Sequence, residues 1–141
     1  MDETLTIGVY DDARHRDRVM ALWQAVFGYE DAHNEPGRVI DMKRAHPDDL
    51  FFVARRNGDV VGTAMAGYDG HRGWIYSVAV DPHCRKQGIG SALLARAQKD
   101  LTALGCLKVN LQILAGNEAV KAFYAANGFL EEARISMGKR L

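Results

Sequence analysis

The chain opens with Leu5-Thr6-Ile7-Gly8-Val9-Tyr10, where apolar and polar side chains alternate with the period of a half-buried strand. Asp11-Asp12 follows as an N-terminal cap. Val19, Leu22, Trp23 and Val26 then recur at the i, i+3, i+4, i+7 spacing of one helix face, and Gly28 ends the run. Asn34-Glu35-Pro36 predicts a second helix: a capping Asn, an acid in the first turn, and a proline where no amide bond is lost. Val39, Ile40 and Lys43 lie along one side of it, and Pro47 stops it.

The middle of the chain changes period. Phe51 to Arg55 reads as a strand, Asn57-Gly58 as the two-residue turn of a tight hairpin, and Val60 to Ala66 as the returning partner. A second hairpin closes at Asp69 to Gly73, and Trp74 to Val80 is the next strand, ended by Asp81-Pro82. From Gly88 to Leu104 the stripe Ile89, Leu93, Ala97, Leu101, Leu104 predicts a helix closed by Gly105. Val109 to Ile113 is read as a strand, Asn117 to Ala126 as a helix, and the residues from Phe129 and from Ile135 to Arg140 as two last strands.

This order predicts one α+β domain over residues 1–141, with about four helices packed on a mixed, mostly antiparallel sheet of six to seven strands. The 141 residues suit one domain, and 48% apolar content is enough for a core. No linker, repeat or low-complexity tract interrupts it.

Charge narrows the partners. Eighteen basic residues balance eighteen acidic ones, so no global field draws the chain to nucleic acid or to a membrane. Any anion must be held locally. The acidic start and the lack of a long apolar run predict neither a signal peptide nor a membrane span, hence a cytoplasmic protein. Cys84 and Cys106 sit in no metal or redox spacing and are expected to be buried or half-buried thiols. The five histidines form no ligand pair, so no metal is assigned.

Chemistry concentrates between Ser77 and Leu94. A strand ends, a short turn follows, and a helix starts on Gly88 and Gly90, glycines that let backbone approach a ligand. Amides from Lys86 to Ser91 (Lys86, Gln87, Gly88, Ile89, Gly90, Ser91) gather at a helix N-terminus, where unpaired donors and partial positive charge suit a pyrophosphate. Arg85 and Lys86 add mobile charge. The third glycine of a dinucleotide fold and the Gly-Lys-Ser/Thr of a P-loop are absent, so a nucleotide-binding module is the weaker reading.

Two motifs then carry a resemblance. Arg85-x-x-Gly88-x-Gly90 after Val78-Ala79-Val80-Asp81-Pro82, and Asn117 followed by Phe123-Tyr124-x-x-x-Gly128-Phe129, together resemble the GCN5-related N-acetyltransferase (GNAT) superfamily over essentially the whole chain. Gly58 to Thr63, Gly67 to Gly73 and the closing Gly138-Lys139-Arg140-Leu141 look like the small bacterial YpeA-type members. The resemblance implies an acetyltransferase that uses acetyl-CoA to acylate an amine, a small amine or a peptide N-terminus or lysine, by direct attack in a ternary complex. It implies that Val78, Ala79 and Val80 present main-chain groups to the pantetheine arm and that Asn117 hydrogen-bonds the same arm. Tyr124 would protonate the leaving thiolate as catalytic acid. It also implies a homodimer, built through the uncovered last strand Ile135 to Leu141.

Some positions depart from that pattern. Gln112 stands where relatives often carry a glutamate base, and it cannot take a proton. The fourth strand offers Tyr76 and Ser77 rather than a carboxylate. Asp69 and His71 are candidates for the base, though Asp69-Gly70 also reads as plain turn chemistry. Glu30 and Asp31 are placed to greet a cationic acceptor. The missing base favours, as the alternative, a non-catalytic acyl-CoA-binding sensor. Tyr124 and Asn117 have structural roles open to them as well, the one in a core and the other as a helix cap.

Overall fold

The structure, a computed structural model, describes residues 4–28 and 35–141. These form two compact units, one ending at Leu111 and the other beginning at Gln112. The first holds β1 (Thr6–Val9), α1 (Asp12–Phe27), α2 (Pro36–Arg44), β2 (Phe51–Arg56), β3 (Asp59–Tyr68), β4 (Gly73–Val80), α3 (Ile89–Ala103) and β5 (Val109–Leu111). The second holds α4 (Glu118–Ala126).

Local signals set these boundaries. The Asp11 carboxylate accepts the Arg14 amide at the start of α1. The cap of α2 is Glu35, whose carboxylate accepts the amides of Gly37 and Arg38; Asn34, the expected cap, lies outside the described residues. Asn57 and Gly58 both take positive φ, +54° and +80°, which gives the β2–β3 hairpin its tight turn.

The sheet runs β1-β2-β3-β4-β5. Its first four strands pair antiparallel, and β5 pairs parallel to β4 after the α3 crossover. Residues Phe51 to Ala54 of β2 are all buried, because helices cover both faces of the strand. On one face Val19, Leu22, Trp23 and Ile40 from α1 and α2 pack with Phe51, Val53, Met65 and Ala79. Trp23 and Tyr10 stack on Phe51 at 5.7 and 4.2 Å between ring centroids. On the other face Ile89 and Leu93 of α3 lie over Gly62, and Leu101 and Cys106 lie over Gly73. Cys84 is half-buried and Cys106 buried, both free thiols as the sequence suggested.

The strand count is a correction. The described residues form five strands, not six or seven, and β5 stops at Leu111 instead of Ile113. The segments from Phe129 and from Ile135 to Arg140 are not strands; Leu130, Ile135 and Met137 are exposed. Alternation defines the two faces of a strand but not its hydrogen-bonding neighbour, and a strand exists only with one.

Candidate functional site

Strand β4 is the most irregular element of the sheet. Its pairing with β5 covers Gly73 to Ile75 only. Its pairing with β3 shifts register between Thr63↔Ala79 and Met65↔Tyr76, so Ser77 and Val78 together oppose Ala64. That is a β-bulge. Ser77 at its centre has φ +51°, a left-handed conformation unusual for a residue with a side chain. Beyond the bulge Ala79 is buried, while Val78 and Val80 are half-buried. The segment Tyr76 to Val80 therefore offers main-chain groups along the β5 side of β4 that the β4–β5 ladder does not consume.

The turn after β4 is tied down at its start. The Asp81 amide donates to Val61 O at 2.9 Å, and the Asp81 carboxylate accepts the His83 amide at 2.8 Å across a short 3-10 turn, Pro82–Cys84. Arg85 is extended, Lys86 has φ +62° and Gly88 φ +79°, and α3 begins at Ile89. The first intrahelical bond runs from the Ala92 amide to Gly88 O. Gly88 has no side chain to cap the helix, so the first-turn amides are left for another acceptor. A Cβ at Gly88 would meet nothing within 4 Å, so the space in front is open. Arg85, Lys86, Gln87, Gly88 and Ser91 are exposed, with Gln87 accepting a bond from Arg56 Nη1. This donor set fits a diphosphate. Ile89 and Gly90 are buried, so Ile89 can contribute its amide while its side chain belongs to the core.

Asn117 and Tyr124 belong to the second unit. Asn117 caps α4, its Oδ1 accepting the Val120 amide at 3.3 Å. Tyr124 is buried edge-on between Phe123 and Phe129, at 5.0 and 5.6 Å between ring centroids. Burial pushes its phenol up to about 12, so it holds its proton at neutral pH. Both structural roles considered for these residues are thus realised, and neither consumes the phenol proton. Gln112, in the same unit, donates from Nε2 to Ser136 Oγ.

The candidate bases fare differently. Asp69 Oδ1 accepts the amides of His71 and Arg72, each at 2.7 Å, which holds the carboxyl below its usual range. Asp69 is a turn residue. His71 is exposed beside it, and Tyr76 is exposed with Lys43 Nζ 5.7 Å from its ring centroid. Glu30 and Asp31 lie outside the described residues. Among the described residues no group of three His, Cys, Asp or Glu is placed to hold a metal, and no helix is long and apolar enough to cross a membrane. Sequence reasoning missed Thr63, a polar residue of β3 at 0% exposure opposite Ala79 of β4, although a threonine inside an apolar strand was a visible signal. It also missed that Gly62 lets α3 lie close to the sheet.

A strand edge that the β4–β5 ladder leaves open, followed by a helix start with no side-chain cap, is an arrangement suited to an extended, phosphate-bearing ligand. Comparison with known proteins narrows the class. Residues 16–129 match the acetyltransferase (GNAT) family model, and the chain belongs to that family. A protein of Pectobacterium atrosepticum named as an acetyltransferase is 44% identical over 108 residues, 77% of each chain. One of Sodalis glossinidius, also named as an acetyltransferase, is 40% identical over 131 residues, 91% of this chain and 92% of that one. Among solved structures, an aminoglycoside N-acetyltransferase in complex with CoA has a TM-score of 0.79 at 19% identity, covering 99% and 97% of the two chains. Glucosamine-6-phosphate N-acetyltransferase from Arabidopsis thaliana has a TM-score of 0.72 at 25% identity, covering 98% and 99%. The chain is an acyltransferase enzyme, and the resemblance to the GNAT superfamily seen in its motifs is correct.

Proposed function

We propose that this chain moves the acetyl group of acetyl-CoA to an amine by direct attack in a ternary complex, without an acyl-enzyme intermediate. The observation that carries this reading is the β4–α3 segment, with backbone at Tyr76 to Val80 left unpaired on the β5 side leading into uncapped amides at Ile89 to Ser91. Main-chain groups of Val78 and Val80 bind the pantetheine arm as a neighbouring strand would, with Ala79 anchoring them through its buried side chain. The amides of Lys86 to Ser91 hold the pyrophosphate, aided by the exposed charges of Arg85 and Lys86. Asn117 uses its amide group on the arm while its carbonyl oxygen caps α4. Acetyl-CoA supplies an acetyl group activated as a thioester.

The neutral amine forms the new C–N bond as the C–S bond breaks. The Tyr124 phenol, protonated at neutral pH as any phenol is, gives its proton to the departing sulfur and recovers one from water. The proton lost by the amine goes to water, since Asp69 is held by its turn and Gln112 is not a base. The protein acts as a homodimer on a small amine or on a peptide N-terminus or lysine. Thiol release from acetyl-CoA, followed across a panel of such amines with mass spectrometry of the products, tests this. An amine gaining one acetyl group in step with thiol release is expected; thiol release with no acetylated amine in the panel refutes it.

A further inference from the structure

Two buried polar groups connect helix α1 to the bulge of β4. Trp23 and Thr63 are both at 0% exposure. Trp23 Nε1–H donates to Thr63 Oγ1 at 2.8 Å, and Thr63 Oγ1–H donates to Ser77 O at 3.0 Å. The direction of this chain is fixed by chemistry. An indole N–H can only donate, so the threonine oxygen accepts there and its single proton is committed to the Ser77 carbonyl. The bulge needs such a tie. Ser77 and Val78 have no one-to-one partners in β3, and Ser77 carries φ +51° without being a glycine. A conformation of that kind persists only where its surroundings over-determine it.

The position of the tie is informative. It meets β4 two residues past Ile75, the last to pair with β5, and immediately before Val78. The bulge also inverts the alternation of the strand. Gly73 faces α3, yet Ala79, six residues later and expected on the same face by a period of two, packs with Trp23 and Met65 on the opposite one. The direction in which Val78 and Val80 present their amides and carbonyls is therefore set at Ser77.

Building on the cofactor reading above, we propose that Thr63, oriented by Trp23, is a positioning residue that fixes the bulge of β4 and with it the main-chain groups that grip the pantetheine arm. It touches no ligand. Its removal should be felt by ligands that have the arm and not by those that have only the diphosphate, which the α3 start binds.

The experiment uses the full chain and two probes, acetyl-CoA and ADP, titrated calorimetrically into wild type, Thr63→Val and Thr63→Ser. Valine keeps the shape and removes the hydroxyl; serine keeps the hydroxyl. Thr63→Val should weaken acetyl-CoA about tenfold, the scale of one lost buried hydrogen bond, with ADP unchanged and Thr63→Ser close to wild type. Equal weakening of both probes would mark Thr63 as general packing, and no change in either would show that the bulge needs no tie; each result overturns the proposal. If Thr63→Val does not fold, Thr63→Cys, with a weak thiol donor, is read by the same contrast. A wild-type chain that binds ADP but not acetyl-CoA overturns the cofactor reading itself, and this proposal with it. Binding of both probes by wild type together with an unaffected Thr63→Val overturns the positioning role alone.

Discussion

Gly62→Ala is the substitution whose cost follows most directly from the packing of α3. A Cβ there would lie 3.0 Å from Ile89 Cγ2, 3.0 Å from Leu93 Cδ1 and 3.1 Å from Ala79 O. Leu93 can swing its methyl away, but Ile89 is branched at Cβ and Ala79 O is backbone, so α3 must back off the sheet. Overpacking of this kind costs roughly 1–3 kcal/mol. The gain from replacing a strand glycine, about 0.4–1 kcal/mol through the unfolded chain, offsets part of it. A net loss of about 1–2 kcal/mol, the middle of the range those two figures leave, lowers the melting temperature by roughly 3–10 °C in a domain of this size. Gly67→Ala is the internal control. Its Cβ would meet only the Tyr76 side chain, the hydroxyl at 3.8 Å and the ring at 3.9 Å, so that variant should melt at or slightly above wild type. Thermal unfolding followed by circular dichroism reads both. A Gly62→Ala protein as stable as Gly67→Ala would refute the contact between α3 and the sheet as drawn.

Tyr124→Phe should lower turnover by roughly a hundredfold while leaving acetyl-CoA affinity near wild type, read from initial rates and calorimetry; wild-type turnover would make the ring packing alone. His15 should make the fold acid-sensitive. It is buried, its Nδ1 accepts the Asp11 amide, and burial followed by the charges of Arg55 and Arg14 depresses its pKa. A histidine depressed in the folded state stabilises fully above its unfolded value of about 6.5 and loses that contribution as pH falls below it. Urea midpoints should drop between pH 7.5 and 5.5 in wild type and less so in His15→Gln; equal drops would clear His15. Light scattering at micromolar concentration should give the mass of two chains, favoured by the exposed Leu130, Ile135 and Met137; the mass of one chain would refute the homodimer.

What could be read from the sequence was what depends on near neighbours. The stripe of α1, its Asp11 cap, the Asn57-Gly58 hairpin and the Gly88 start of α3 are encoded within a few residues, and all are present. The bulge at Ser77 was not legible, because its positive φ is enforced by Thr63 and Trp23, 14 residues and more away in sequence. Nor was the end of the sheet. Ile135-Ser136-Met137 alternates as a strand does, but alternation does not supply a partner strand. At the site, the uncapped helix start at Gly88 was legible from its glycines, and its proposed phosphate chemistry from the cations beside them, whereas the roles proposed for Tyr124 and Asn117 entered only through resemblance to a family.

The proposed function depends on the start of α3 holding acetyl-CoA. Titration of acetyl-CoA into the wild-type chain and into Gly88→Glu and Gly90→Glu tests it, with circular dichroism confirming that each variant is folded. A carboxylate at either position sets negative charge against the pyrophosphate and obstructs its approach to the amides. Saturable binding in wild type, weakened about a hundredfold or more in the variants, is expected from the loss of two or more charge-assisted hydrogen bonds. Unchanged affinity in a folded Gly90→Glu protein, or no binding by wild type, would contradict it.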